Sequence, residues 1–371
     1  SYAEELPAAP GSRVYVTDAV TQVTEQVVSG SEGKVGNDYY HAIEVKEKSL
    51  IAECATAEGY RCQVSSFHGG LEYYLVKQLE IRDVRLAYNP AGSIGKYGGD
   101  IDNWMWPRHT GDFSFYRAYV SKGGLPADYS VDNVPYQPKN FLKVSAKGVS
   151  EGDFVMVTGY PGRTNRYRTA SEVENQFEWA YPEAKMLRER FMKIINETAE
   201  EGSDERIKYE SLLAGLANYA KNFTSMIEFY AKSPMLAERK SRENDLADWI
   251  SKDTQRQEQY GKTLATLDEL IAEGQEDQAR DIILGYIRYT TMLPTARRLY
   301  RLANEKSLAD IDREPGYQQR DMIRFKSSME RIDRRYAASV DKALLLEMLK
   351  RYAVLPQNER IDALDKVFGL G

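Results

Sequence analysis

The sequence predicts an α+β protein in which a β-rich first part is followed by an all-helical second part. Eighteen of the 26 glycines, eight of the 13 prolines and all three histidines lie in residues 1–168. Short β-branched and aromatic segments between turn residues indicate strands in that part. Apolar residues at helical spacing indicate amphipathic helices in residues 169–371. We therefore predict two domains with a boundary near residue 168.

The first part is predicted to consist of short strands and one helix. Each strand is marked by alternating or clustered β-branched and aromatic residues that are bounded by turn residues. The predicted strands are Arg13–Val16, Glu72–Leu79, Asp83–Tyr88, Phe113–Val120 and Phe154–Gly159, and the predicted helix is Tyr39–Cys54. This order predicts a β-rich lobe.

The second part is predicted to be helical throughout. Apolar side chains recur with charged residues between them, at spacings that place the apolar ones on one helix face. Three such sets are Leu187, Phe191, Ile194 and Ile195; Tyr260, Leu264, Leu267 and Ile271; and Leu345, Met348 and Tyr352. Ser233-Pro234 is predicted to begin a further helix, as its cap and its first helical residue.

Composition and charge exclude several classes of protein. The chain has 50 Lys and Arg against 56 Asp and Glu, a net charge of −6, which disfavours broad electrostatic capture of nucleic acid. No apolar run reaches the roughly 18 residues of a membrane span. Three histidines and two cysteines are too few for an ordinary structural zinc site. We predict no metal, no cofactor, no nucleic-acid partner and no membrane span.

The two cysteines, Cys54 and Cys62, are separated by seven residues. They could form a small disulfide loop if the chain lies in an oxidising compartment. They could equally stay as two buried free thiols. The sequence leaves both alternatives open.

The stretch 320–335 is rich in arginine. Asp321, Glu330 and Asp333 stand among these arginines at helical spacing. We therefore interpret the stretch as a salt-bridged, exposed helix face and not as an RNA site.

The stretch 98–113 concentrates residue types that suit a polar site. Its glycines allow close backbone approach, its two tryptophans supply rigid walls, and its aspartates and asparagine supply acceptors. The alternative is a packed loop between strands whose acids are solvated. A phosphate-binding loop and a G-x-S-x-G nucleophile motif are both excluded nearby, because Pro90 and Ala91 stand where each motif requires glycine.

Three segments carry a family resemblance, namely Gly98–Ser114, Gly159–Tyr167 and Ala217–Asn222. Together they resemble the bacterial dipeptidyl-peptidase 7 and dipeptidyl-peptidase 11 family of serine peptidases. The resemblance implies an exported hydrolase with a chymotrypsin-like double β-barrel and an inserted helical domain, which releases dipeptides from peptide N-termini. On that basis, residues 1–168 are part of a chymotrypsin-like β-barrel lobe, and residues 169–371 are an incomplete all-helical insert.

The resemblance places Asp112 on the aspartate of a His-Asp-Ser triad, where a carboxylate accepts the ring N–H of the histidine. The family's histidine context, Thr-Asn-His-His-Cys-Gly, and its serine context, Gly-Asn-Ser-Gly-Ser-Pro, do not occur in this sequence. We therefore expect the chain to be an internal segment of a larger aminopeptidase, and to be inactive by itself.

The resemblance also assigns Asn103, Trp104 and Asn218 to the amino end of the substrate. An amide oxygen accepts a hydrogen bond from an ammonium without bringing a buried charge of its own. We expect Trp106 in the core and give His109 no role. The expected partners are peptides with a free N-terminus, and the expected location is the periplasm. A homodimer of the full-length enzyme stays open, as does the choice between acidic and hydrophobic residues beside the cleaved bond.

The alternative is a function of another class. In that alternative the chain is a free-standing helical module that binds peptides without catalysis. The extent of the reading frame discriminates between the two. A frame that continues in both directions and supplies the histidine and serine motifs favours the peptidase.

Overall fold

The computed structural model describes residues 4–9, 11–56, 58–99, 101–103, 105–156 and 165–370. The chain divides into two compact units. The first comprises Ser1–Glu151 and Leu308–Ser328, and the second comprises Gly152–Ser307 and Met329–Gly371. The domain boundary near residue 168 stays a prediction.

The strands of the first unit form two antiparallel sheets. They are β1 (Leu6–Pro7), β2 (Val14–Gln22), β3 (Tyr60–Phe67), β4 (Glu72–Ile81), β5 (Asp83–Tyr88), β6 (Phe115–Val120) and β7 (Val134–Pro135). One sheet has the order β1-β5-β6-β7, and the other has the order β2-β4-β3. The mixture of helices and antiparallel sheets in the α+β prediction is therefore confirmed.

Four of the predicted strands are confirmed as β2, β4, β5 and β6, of which β5 has the predicted ends and the other three have shifted ends. Strand β3 was not predicted, because its sequence YRCQVSSF alternates weakly and only Cys62 in it is buried. Residues 154–156 form no strand, which contradicts part of the strand predicted at 154–159. The rest of that segment lies outside the described residues.

The helices are distributed over both units. They are α1 (Thr24–Val28), α2 (Gly36–Cys54), α3 (Gly92–Gly95), α4 (Ala170–Asn175), α5 (Tyr181–Thr198), α6 (Asp204–Lys232), α7 (Met235–Ser251), α8 (Thr254–Tyr260), α9 (Thr263–Glu276), α10 (Gln278–Ile287), α11 (Met292–Glu305), α12 (Met322–Glu330), α13 (Ala338–Ala353) and α14 (Asp362–Phe368). A π-helical turn, Gln176–Ala180, joins α4 to α5. None of the described helices is long and apolar enough to cross a membrane.

A small apolar core joins α1 and α2 to the three-stranded sheet. It contains Val23, Val27, Ile43 and Tyr73, all of them buried. At the end of α2, a disulfide links Cys54 to Cys62 of β3, with the two Cα atoms 6.0 Å apart. Of the two alternatives that the sequence left open for the cysteines, the structure has the disulfide.

The large core of the second unit lies among α5, α6, α10 and α13. Its fully buried members include Leu187, Phe191, Leu216, Leu344 and Met348. The apolar spacing predicted the buried faces of α5 and α13 correctly, because residues three, four and seven apart share one side of a helix. Burying such a face supplies most of the free energy that stabilises a helix in a folded protein.

Two details of the helical prediction are wrong. The set from Tyr260 to Ile271 spans two helices, because α8 ends at Tyr260 and α9 begins at Thr263. Gly261 between them lies where an added Cβ would overlap the carbonyl oxygen of Gln257. Helix α7 begins at Met235, so that Pro234 is its cap and not its first helical residue.

Candidate active site

The loop between β5 and β6 carries the predicted chemistry of the first unit. It begins with the single turn α3 and continues through Gly98, whose φ of +71° lies in the left-handed region. A Cβ at Gly98 would overlap the carboxylate of Asp102, which folds back over this glycine. The backbone N–H of Asp102 donates to the carbonyl of Gly98 at 3.3 Å. Glycine is therefore required for this reversal of the chain.

Asp112 lies where the same loop returns to α3. The N–H of Gly111 donates to the carbonyl of Ile94 at 3.0 Å, and Oγ1 of Thr110 donates to the carbonyl of Tyr97 at 3.3 Å. These two bonds hold the backbone on the N-terminal side of Asp112. A Cβ at Gly111 would come within 3.0 Å of the Ile94 side chain, so a small residue allows the close approach.

The carboxylate of Asp112 is open to a further donor. Its Oδ1 accepts a hydrogen bond from Nη2 of Arg108 at 3.1 Å, and its side chain is 66% exposed. Among the described residues, Oδ2 receives no hydrogen bond. One oxygen is thus held by a guanidinium while the other faces outward, which is the arrangement that a carboxylate needs in order to accept an N–H from outside this segment.

Three half-exposed aromatic rings lie beside this loop, at the ends of β5 and β6. The ring of Tyr88 stacks on that of Phe113 with centroids 6.0 Å apart, and Phe113 meets Phe115 edge to face at 5.7 Å. They form an apolar surface next to a polar loop, a combination typical of ligand sites.

The other predicted residues of this loop have mixed outcomes. Asn103 lies in the same loop as Asp112 and is half-buried, and Trp104 lies outside the described residues. Trp106 is 89% exposed, so the expectation of a core position is wrong, because residues 105–114 form neither a strand nor a helix that would carry the ring inward. The ring of His109 meets that of Tyr97 edge to face.

A buried ion pair supports the sheet from which the loop emerges. On β5, Nε and Nη2 of Arg85 donate to the two carboxylate oxygens of Asp83 at 2.9 and 2.6 Å. Asn133 Nδ2 donates to Asp83 Oδ2 at 2.9 Å. Burial opposes ionisation of Asp83, but these hydrogen bonds and the guanidinium charge outweigh it, so the pKa of Asp83 is lowered from its ordinary 3.8. The ring of Tyr119 on β6 covers the guanidinium at 3.8 Å.

Asn218 lies in the second unit, on α6. The residues of α6 that face the core are Tyr209, Leu213, Leu216 and Ala220. Asn218 is offset from them by about half a helical turn, since each residue advances about 100°, and it is exposed. Asn218 therefore lies on the outward face of α6 and not in the core.

Sequence reasoning missed the aromatic ladder that holds this part of α6. Ring stacking links Phe177 to Tyr230 at 4.7 Å and Tyr181 to Phe223 at 4.8 Å, and Tyr219 packs against Phe223. The spacing of Tyr219, Phe223 and Tyr230 along one face is the signal that could have revealed it.

A buried arginine completes the ladder. Arg188 of α5 is 9% exposed, and its guanidinium lies 5.1 Å from the ring centre of Tyr219 and 4.8 Å from that of Phe223. Its Nη1 donates to the carbonyl of Ala184 at 3.0 Å and to the hydroxyl of Tyr286. Aromatic faces and neutral oxygens thus stabilise this charge, and Arg188 forms no ion pair with any described residue.

We expect Tyr286→Phe to lower the free energy of unfolding by about 1–3 kcal/mol. The Tyr286 hydroxyl donates to the Ala184 carbonyl at 2.7 Å and also accepts from Arg188, so its removal leaves buried polar groups with fewer partners. Urea unfolding followed by circular dichroism measures the change. Tyr300→Phe is the matched control, because Tyr300 is 72% exposed, and an equal effect of both variants would contradict the assignment.

The described residues contain no cluster of three or more His, Cys, Asp or Glu that could hold a metal ion. The side chains described above for the candidate site are a carboxylate, two amides and aromatic rings.

Comparison with known proteins identifies the family of this chain. A family model described as Peptidase S46 matches residues 1–371. The chain belongs to the peptidase S46 family. An Asp/Glu-specific dipeptidyl-peptidase of Shewanella putrefaciens is 42% identical over 370 residues, which cover 99% of this chain and 49% of the relative. A dipeptidyl-peptidase 7 of Capnocytophaga gingivalis is 32% identical over 342 residues, which cover 91% and 46%.

A solved structure of a dipeptidyl-peptidase has a similar fold. The crystal structure of Porphyromonas endodontalis DPP11 in complex with the dipeptide Arg-Asp matches with a TM-score of 0.68 and 28% identity, over 100% of this chain and 53% of that chain. This S46 chain thus spans about half the length of the curated relatives that it matches.

Proposed function

We propose that this chain is part of a serine dipeptidyl-peptidase that releases dipeptides from the N-termini of peptides. The observation that carries the proposal is the carboxylate of Asp112, which has one oxygen held by Arg108 and the other open. The names of the relatives and the dipeptide bound to the solved DPP11 support the same activity. The two antiparallel sheets are compatible with part of a chymotrypsin-like barrel, which we propose as their context in the whole enzyme.

Asp112 has the role of an orienting carboxylate in this proposal. It accepts the Nδ1–H of a histidine that the rest of the enzyme supplies, which leaves Nε2 free to take the proton of a serine hydroxyl. The serine oxygen then attacks the carbonyl carbon of the second residue, and the histidine gives the proton to the amine of the third residue, which leaves. Water hydrolyses the acyl-enzyme by the same proton transfers. Since Asp112 only orients and stabilises the histidine, we propose that this segment has no activity by itself.

An enzyme that removes two residues from the amino end must bind the free ammonium group through hydrogen-bond acceptors. Its cleft must also be closed two residues before the cleaved bond. We propose that Asn103, Trp104 and Asn218 hold the amino end of the substrate and the backbone next to it, and that the two asparagines do so through their amide oxygens. The outward position of Asn218 and the half-buried position of Asn103 support this role. A charged carboxylate in their place would be costly to keep desolvated when no substrate is bound.

We also propose a periplasmic location, and we propose that the full-length enzyme can form a homodimer. The disulfide between Cys54 and Cys62 supports an exported protein, because such bonds persist in oxidising compartments.

For the substrate residue before the cleaved bond we propose Asp or Glu. The Asp/Glu-specific relative of Shewanella putrefaciens is 42% identical to this chain, whereas the dipeptidyl-peptidase 7 of Capnocytophaga gingivalis is 32% identical.

Substrates that differ only at the amino end test this proposal. The full-length enzyme is expected to release a dipeptide from a peptide with a free amino group and Asp at the second position, and not from its N-acetylated form. Asn218→Ala is expected to raise KM at least about tenfold for the free peptide, because a hydrogen bond to a charged group contributes about 1.5–3 kcal/mol. Steady-state kinetics on both peptides measures the effect.

Asn222→Ala is the matched control, because Asn222 is exposed one turn further along α6. We expect it to leave KM unchanged. Full retention of the preference by Asn218→Ala would show that the ammonium is held elsewhere. Robust dipeptide release by the 371-residue chain alone would contradict the missing-triad proposal, whereas peptide binding without hydrolysis by the full-length protein would favour the helical binding module.

A further inference from the structure

A cavity in the first unit is lined by more arginines than its acids can neutralise. It encloses about 190 Å³, and its charged lining residues are Arg13, Arg61, Arg320, Arg324, Glu80 and Asp321. Four cationic side chains against two anionic ones leave a net charge of +2. The cavity lies where β2 and β3 begin and where β4 ends, and the segment that carries α12 closes another side.

The antiparallel register explains why the strand residues meet. Tyr15 of β2 is paired with Glu80 of β4, and Arg61 of β3 is paired with Gln78 of β4. Paired residues of antiparallel strands point to the same face, and so do residues two apart on one strand. Tyr15, Arg61 and Glu80 therefore share one face. Arg13 reaches the same place, since its Nε donates to Oε1 of Glu80 at 3.2 Å.

Only part of this charge is balanced. Glu80 pairs with Arg13, and Oδ2 of Asp321 accepts the backbone N–H of Gly316 at 2.9 Å. Across the described ranges of the chain, Arg61, Arg320 and Arg324 form no ion pair. Three guanidinium groups around one cavity repel one another, and an anion between them would relieve that repulsion.

Two of these guanidinium groups lie against one aromatic ring. The guanidinium carbons of Arg61 and Arg324 are 5.2 and 5.8 Å from the ring centre of Tyr15, and Arg324 also donates to the Tyr15 hydroxyl. Ring contacts of this kind use few of the five N–H donors of each guanidinium. Arg320 and Arg324 are exposed, as the interpretation of residues 320–335 expects, but neither forms the expected ion pair with a described residue, and both line the cavity.

We propose that this cavity is a binding site for a phosphate-sized polyvalent oxyanion. A water molecule occupies about 30 Å³ in the liquid, so the cavity has room for a phosphate with some of its hydration. The planar fork of arginine matches the oxygens of phosphate in a bidentate way. The disulfide at Cys62, directly after Arg61, fixes the strand end that bears one of the arginines.

Isothermal titration with inorganic phosphate tests the proposal on the full chain. The titration is made at constant ionic strength against potassium chloride, so that general screening is matched. Saturable binding with a millimolar or lower Kd is expected. Arg320→Gln is expected to weaken it at least about tenfold, because one charge-assisted hydrogen bond is lost, and Arg61→Gln is expected to do the same.

Arg320 is the decisive position, because it is exposed and makes no side-chain hydrogen bond or ion pair with the described residues, so its substitution leaves the fold intact. The control is Arg280→Gln, which removes the same charge from a guanidinium already paired with Asp277 and Asp281. It should bind phosphate like the wild type. Absence of saturable binding up to tens of millimolar, or equal weakening by Arg280→Gln and Arg320→Gln, would overturn the proposal.

Discussion

Asp112→Asn in the full-length peptidase is expected to lower kcat by about 10⁴-fold while KM changes little. The carboxamide is almost the same size as the carboxylate, so the loop and its bonds from Gly111 and Thr110 are retained. What changes is the hydrogen bond that we propose between Asp112 and a histidine of the full-length enzyme. An amide N–H at that place favours the wrong tautomer and no longer stabilises the imidazolium that forms during attack. Steady-state kinetics on a peptide with a free amino terminus measures both constants.

Asp132→Asn is the control for Asp112→Asn. Its carboxylate is 77% exposed and also pairs with one cation, Lys122, at 3.4 Å, so the substitution removes a comparable charge from the same unit. We expect its kcat to equal that of the wild type. If Asp112→Asn kept near-normal turnover, or raised KM with kcat unchanged, Asp112 would be a binding or structural residue and not part of a triad.

Asp83→Asn is expected to lower the free energy of unfolding by about 3–5 kcal/mol. Asp83 is 1% exposed and Arg85 is 7% exposed, so loss of the carboxylate leaves a buried guanidinium without its counter-charge. The bond from Arg85 Nη2 to the carbonyl of Ser130 at 2.8 Å remains, but it does not neutralise the charge. Urea unfolding measures the loss, and hydrogen exchange of β5 and β6 should locate it in this sheet.

Two further variants distinguish a buried charge from a general loss of packing. The double variant Asp83→Asn with Arg85→Met should recover part of the stability, because no unpaired charge is then buried. Asp128→Asn removes the 86% exposed partner of Arg82 and should leave the unfolding midpoint almost unchanged. A double variant less stable than Asp83→Asn would show that the arginine is held mainly by its ring contacts.

The lowered pKa of Asp83 also gives the direction of the pH dependence. The pKa of the Asp83 carboxyl is lower in the folded state than its ordinary value of 3.8. The contribution of the carboxylate to stability is therefore complete when the pH is well above 3.8. It is lost as the pH falls through the lower folded-state pKa. The difference in stability between wild type and Asp83→Asn should therefore shrink in acid below about pH 4, the ordinary carboxyl range.

Helices α5 and α13 were predictable, because each of them buries one periodic face, whereas α9 has no buried residue. Leu187 and Phe191 on α5, and Met348 and Tyr352 on α13, are buried as their spacing predicts. The break at Gly261 was not predictable from hydrophobic spacing, since apolar residues continue on both sides of it. Strand β3 escaped prediction because its pairing with β4, and not its own composition, keeps it in the sheet.

The candidate site was predictable only through its motif. The resemblance pointed to Asp112, Asn103 and Asn218, but no local pattern predicts that Arg108 holds one oxygen of Asp112 or that Arg188 lies under Tyr219. Contacts between residues four apart in a loop depend on backbone reversals such as the one at Gly98. Contacts between separate helices depend on packing that single-sequence periodicity does not contain.

Residues 308–328 belong to the first unit although residues 152–307 stand between them and the rest of that unit. This affects the order in which the parts of the first unit are synthesised. The three-stranded sheet is synthesised early, yet the wall of its arginine cavity that Arg320 and Arg324 provide emerges only after residues 152–307 have been made. A nascent chain of this protein thus carries an unfinished first unit for a long stretch of translation, and pairing so distant in sequence forms slowly. Truncated chains that stop before residue 308 should therefore lack this wall of the cavity, however well their strands have paired.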